Sequence, residues 1–261
     1  MTRFFSAAIA AGVVVVLAGA ARAQDAKDSK DAKDGKEAAA VIDKAIKALG
    51  GDEKLSNAKA VQWKANVKFR FGENESEGVI EGTRQGMDQV RRLFEGDFGG
   101  NKFRAVTVLA GDKGWRKFGD DSTELAGDEL ANEKRRVYLS LIPMTVVPVK
   151  SKGFKLAPAG EEQVGGKAAS GVKITVPDGK DFTLYFDKES GLPVKQVAEV
   201  IGFGGEEFKQ ETIFSDYKEI DGIKVAMKVE AKRDGQTFQE MKVTEFKVLD
   251  KVDPKTFAEP E

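Results

Sequence analysis

From Lys59 onward, apolar and polar residues alternate. In "KAVQWKANVKFRF" the odd positions are Val61, Trp63, Ala65, Val67, Phe69 and Phe71, and the even ones are Gln62, Lys64, Asn66, Lys68 and Arg70. A period of two puts each set on one face, so the pattern predicts a long antiparallel strand with one apolar and one wet side. Shorter strands are predicted over 77–84, 88–95, 103–109 and 114–118, separated by Gly and Asp clusters as in a meander. The pattern resumes over 154–163, 168–176, 182–186 and 193–201, then over 208–220, 223–232 and 238–249. In the last of these the apolar phase slips between Val243 and Phe246, which predicts a bulge or two-sided burial.

Two segments carry a helical period instead. In "EAAAVIDKAIKALGG", Val41, Ile42, Ala45, Ile46 and Leu49 form one stripe, and Gly50-Gly51 supply the stop. Between residues 123 and 142, Leu130, Val137, Tyr138, Leu141 and Ile142 make a second stripe, with Pro143 and Pro148 expected to end it. About eleven or twelve strands with two helical segments predict an α+β chain, mainly antiparallel β. Strands joined by short turns imply one strongly curved or nearly closed sheet. Helices do not alternate with strands, which argues against a doubly wound α/β fold.

The N-terminus reads differently. Arg3 precedes the apolar run "FFSAAIAAGVVVVLAGA", which leads into Ala21-Arg22-Ala23, so residues 1–23 are predicted to be a secretory signal peptide. No Cys follows the cleavage site, so no lipid anchor is expected there, and the product should be soluble and extracytoplasmic (periplasmic), not membrane-spanning. Next comes "DAKDSKDAKDGK", a three-residue repeat with no apolar residue larger than Ala. Its i,i+3 pairs set like charges together, and it cannot bury itself. A charged flexible linker over 24–36 is therefore predicted, followed by a single domain over 37–261.

Composition removes several function classes. The leader carries two of the 42 bases and none of the 43 acids, leaving 40 against 43. That balance gives no case for nucleic acid. The chain has no Cys and no His. Disulfides are thus absent, and zinc sites of the usual kind and His-based catalytic arrangements are excluded. No metal or cofactor is expected.

The stretch "LYFDKESGLPVKQV" is the nearest approach to a catalytic cluster, with Asp187 and Glu189 two positions apart. It also has the grammar of a turn: Asp and Ser for local backbone bonds, Gly191 for positive φ, Pro193 to set the next strand. We read it as punctuation, with both carboxylates solvated. "GFGGEEF" and "GDFGGNKF" lack the spacing of a phosphate loop, and Asp120-Asp121 and Glu161-Glu162 lack that of a calcium loop. No catalytic residue is assigned, and the chain is not expected to be an enzyme.

Several stretches resemble bacterial outer-membrane lipoprotein-sorting (LolA-like) proteins. These are "AIKALGGDEKLSNAKAVQWKANVKF", with its helix, Ala-Leu-Gly-Gly and long first strand; "LYFDKESGLPVKQ"; the hairpins of "SDYKEIDGIKVAMKVEAKRDGQTFQEMKVTEFKV"; and the ending "VDPKTFAEP". The resemblance covers both ends of the chain and is poor from residue 85 to 180. It implies an unclosed curved β-barrel covered by helices, whose concave apolar face holds lipids or lipoprotein acyl chains. The inward residues Trp63, Val67 and Phe69 of the first strand, with Leu141 and Ile142 of the covering helix, are then the candidate ligand contacts. The alternative is a cell-envelope interaction protein of the same fold, with a filled core and a protein partner.

Overall fold

The computed structural model describes residues 16–72, 74–202 and 204–261. Helix α1 spans Val16–Leu49 and the short α2 Asp52–Asn57. Strands β1 (Ala60–Phe71), β2 (Asn74–Gln85), β3 (Gln89–Phe98), β4 (Asn101–Ala110), β5 (Lys113–Phe118) and β6 (Asp121–Glu124) form a first meander. Helix α3, Gly127–Thr145, leads away from it through a 3-10 turn at Val147–Lys150. A second meander follows: β7 (Lys155–Val164), β8 (Lys167–Thr175), β9 (Asp181–Asp187), β10 (Pro193–Ile201), β11 (Glu207–Ile220), β12 (Ile223–Arg233) and β13 (Gln236–Leu249).

The two meanders fuse where the first strand meets the last. β1 pairs antiparallel with β13, giving one sheet in the order β6-β5-β4-β3-β2-β1-β13-β12-β11-β10-β9-β8-β7 among the described residues. β6 and β7 remain edges, so the barrel is unclosed. The predicted phase slip is a bulge: Lys64 pairs with Glu245 and Ala65 with Val243, leaving Thr244 extra. The Thr244 hydroxyl donates to the Lys64 carbonyl at 3.1 Å.

How far the sheet curls follows from α3. β3 and β10 lie six strand spacings apart in the order, about 29 Å if flat at roughly 4.8 Å each. Yet Glu133 of α3 is ion-paired to Arg92 of β3, and Arg136, one turn on, donates to the Ile201 carbonyl of β10 at 3.3 Å. Residues one helical turn apart span only about 5 Å, so the sheet must wrap around the helix.

Ile42, Ala45, Ile46 and Leu49 of the predicted stripe are buried, with Ala38 one turn earlier, whereas Val41 is only partly buried. They pack in one cluster with Val172, Ile174, Leu184 and Phe186 of β8 and β9. The outer face of the first meander is covered by the chain's end, where Val252 and Phe257 pack on Ala60, Val106 and Val108.

Four expectations are corrected. Residues 24–36, expected to be an irregular tether, continue α1 as helix. Ala and Lys are good helix formers, and extending a helix already seeded by a packed segment adds one hydrogen bond per residue fixed. Pro143 does not end the second helix but sits inside α3, which closes at Val146 in the left-handed region, φ 49°. Thr123 and Glu124, read as the start of that helix, instead close β6, whose four residues are all exposed, so no alternation marks it. Asp187, expected to be solvated, is buried at 4% exposure. The predicted signal peptide falls largely on residues 1–15, outside the described residues. Among those described, no helix is long and apolar enough to cross a membrane.

Candidate functional site

The concave face is divided. α1 fills it over β7–β9, whereas under α3 a cleft of about 610 Å³ is left against β1–β3 and β10–β13. That size falls in the range of about 300–1,000 Å³ usual for small-molecule sites. Its floor is aliphatic and aromatic, including Val61, Trp63, Ile80, Val225, Met241 and Phe246. Leu139, Leu141 and Met144 of α3 form the roof, and Leu55 of α2 closes one end.

The glycines of β2 shape the floor. Trp63 pairs directly with Gly82, and a Cβ on Gly82 would lie 2.0 Å from the indole ring. The indole thus lies flat across the bare backbone of the neighbouring strand, a close approach that only glycine permits. Further along, Phe94 lies over Gly78 and Gly96 in the same way. Its ring opens a row that crosses the sheet, with Phe103 and Phe118 on one side and Phe69, Phe71 and Phe238 on the other.

α3 is held over the cleft by polar bonds. Glu133, buried at 2% exposure, accepts from Arg92 of β3, from Arg116 of β5 at 3.1 Å, and pairs with Arg136 at 3.6 Å. Burial pushes the Glu133 carboxyl up, but the three guanidinium charges outweigh it and leave it below the ordinary carboxylate value. Gln196 of β10 donates to the Leu139 carbonyl at 3.0 Å. Tyr217, also lining the cleft, donates to the Pro193 carbonyl at 2.7 Å, and burial pushes its phenol strongly upward.

Of the sequence-derived candidates, Trp63 and Leu141 border the cleft. Val67, Phe69 and Ile142 do not. Ile142 is fully buried in the main core, Val67 is buried deeper along β1, and Phe69 belongs to the ring row. Pattern alone could not separate these positions, because core and cavity residues alternate alike. The cleft's basic residues were missed, although Arg84 and Arg92 stand at inward positions of their strands.

Asp187 plays the part its turn suggested. Its carboxylate accepts from the Ser190 hydroxyl and the Ser190 N–H, each at 2.6 Å, while Gly191 (φ 78°) donates back to the Asp187 carbonyl. These bonds, the hydroxyl's first, hold the carboxyl below its ordinary value. The cluster orders a hairpin, to which Glu189 contributes a backbone hydrogen bond on the Asp187 carboxylate. Among the described residues no group of three Asp or Glu is placed to hold a metal ion.

An unclosed antiparallel barrel wrapped around a covering helix is the LolA-like fold. The solved structure of a LolA superfamily protein from Nitrosomonas europaea matches it at a TM-score of 0.55 and 10% identity, covering 85% of this chain and 97% of that one. A DUF1329 family protein from Desulfovibrio piger matches at 0.55 and 12% identity, over 85% of this chain and 97% of that one. A domain of the outer membrane lipoprotein-sorting type from Vibrio parahaemolyticus matches at 0.54 and 12%, over 83% and 97%. At these identities the likeness is one of fold. No sequence-family model matches the chain, and no curated protein sequence does.

Proposed function

We propose that this protein is an exported, non-catalytic binding protein or carrier for lipids or acyl chains, working outside the cytoplasm. The observation that carries the reading is the cleft of about 610 Å³ between α3 and the concave sheet face. Burying a chain there is favourable by about 0.8 kcal/mol per CH₂, so a long acyl chain would bind without covalent attachment. The apolar leader over 1–23 supports export, and the fold shared with a lipoprotein-sorting domain supports the ligand class. Residues 37–261 act as one unit in this reading, with α3 as the lid.

Uptake of a fluorescent fatty acid by the purified, delipidated protein tests it. The protein should take up the probe, and Trp63→Gln with Leu141→Gln should abolish uptake while the fold persists by circular dichroism. Unchanged uptake in that folded double variant would remove the cleft from the account.

A second reading rests on Phe71, Phe103 and Phe118, which are 38–43% exposed along one end of the sheet. They favour an apolar protein partner in the envelope at that end. Loss of a co-purifying protein in a Phe71→Ser, Phe103→Ser, Phe118→Ser variant, with fatty acid uptake intact, would support it.

A further inference from the structure

The chain carries 42 bases and 43 acids, yet the residues lining the cleft include Lys59, Arg84, Arg92, Arg136, Lys224 and Arg233 and not one Asp or Glu. Arg92 and Arg136 each have a carboxylate partner in Glu133, which they share with Arg116. Arg84 is different. It is 7% exposed, and its Nη1 donates to the Gly86 carbonyl at 3.0 Å, its one hydrogen bond among the described residues. A guanidinium has five N–H donors, so most of its donor capacity is unspent. No carboxylate acts on it, and burial alone pushes it down to about 10, which leaves it charged at neutral pH.

Burying an unpaired cation is among the more expensive things a fold can do. Apolar packing does not require it, since Ile80, four positions earlier on the same face, lines the cleft without charge. The surroundings add to the positive field. Lys59 accepts at its carbonyl from the N–H of Gly86, the residue whose own carbonyl holds Arg84.

We infer that the cleft is built for an anionic amphiphile, with its phosphate or carboxylate head seated on Arg84 beside Lys59 and its chains running under α3. This rests on the lipid-binding reading and narrows it: a neutral diacylglyceryl group would leave Arg84 without a partner. A planar fork of donors suits two oxygens of a phosphate or carboxylate at once.

The test compares two probes with the same chains, dioleoyl phosphatidic acid and dioleoylglycerol, by quenching of tryptophan fluorescence in delipidated protein. The acid should bind roughly ten- to a hundredfold tighter, the usual worth of a charge-assisted contact. Arg84→Met should erase that preference, and Arg84→Lys should restore part of it. Equal binding of both probes by the wild type would overturn the inference and leave the carrier reading standing. Binding of neither would overturn both. Competition by millimolar inorganic phosphate as effective as by the lipid would show an ion site indifferent to chains, which also overturns it.

Discussion

Gln196 donates its side-chain N–H to the carbonyl of Leu139 at 3.0 Å. Leu139 lies four residues before Pro143, which has no N–H, so this is the carbonyl that the proline leaves without a helical partner. Gln196 is itself buried at 3% exposure. The bond therefore satisfies two groups that would otherwise be stranded, and it ties the lid helix to β10.

Replacing Gln196 by Leu should destabilise the fold by about 1–3 kcal/mol, the usual cost of leaving a buried polar group unpaired. In a Pro143→Ala background the helix regains its own donor to Leu139, and the same replacement should cost less. Urea denaturation of the four proteins of this cycle measures the difference. Equal costs in both backgrounds would show that Gln196 does not compensate for the proline.

Glu133→Gln should be the most damaging conservative change on α3. It leaves Arg92, Arg116 and Arg136 around a neutral group, and breaking a buried charge pair costs about 3–5 kcal/mol. The loss should show as a lower urea midpoint and as faster hydrogen exchange in α3. Glu129→Gln, which removes only the longer 3.6 Å pair with Arg116 at an exposed position, should change little.

The Asp187 turn should show itself in the pH dependence of stability. The folded state holds this carboxyl below its ordinary value, so its contribution is present at neutral pH. It is lost as pH falls below about 4, once the unfolded chain and then the folded one bind the proton. Asp187→Asn should thus cost about 1–3 kcal/mol at pH 7 and progressively less toward pH 3. A penalty independent of pH would mean that the charge plays no part.

Gly82→Ala should displace the Trp63 indole, because the new methyl has no room beneath it. Overpacking of this kind costs about 1–3 kcal/mol. In a Trp115→Phe background, Trp63 is the only tryptophan left, and its emission maximum should shift. An unshifted spectrum with unchanged stability would contradict the stacked geometry.

Much of the sheet was legible because its alternation is regular. The stripe of Val61, Trp63 and Ala65 marked the first strand, and the slip between Val243 and Phe246 marked the place of the bulge, with two-sided burial as the alternative. β6 was not legible, since Asp121–Glu124 is exposed on both faces. Nor was the course of α3 past Pro143, because the residue that accommodates the proline, Gln196, lies more than fifty positions away. The division between core and cleft was hidden for a related reason. Leu141 and Ile142 are adjacent, apolar and equally buried, and only the path of the sheet decides which one meets open space. Arg84 did leave a trace: it breaks the inward row of Ile80 and Gly82, and a cation at such a position asks for an explanation.

Native mass spectrometry of the protein purified from the exported fraction without detergent, paired with lipid extraction, bears most directly on the central claim. The account predicts a discrete added mass, removed by organic solvent and identified as a lipid. A bare protein mass, with no uptake of added fatty acid, would contradict it.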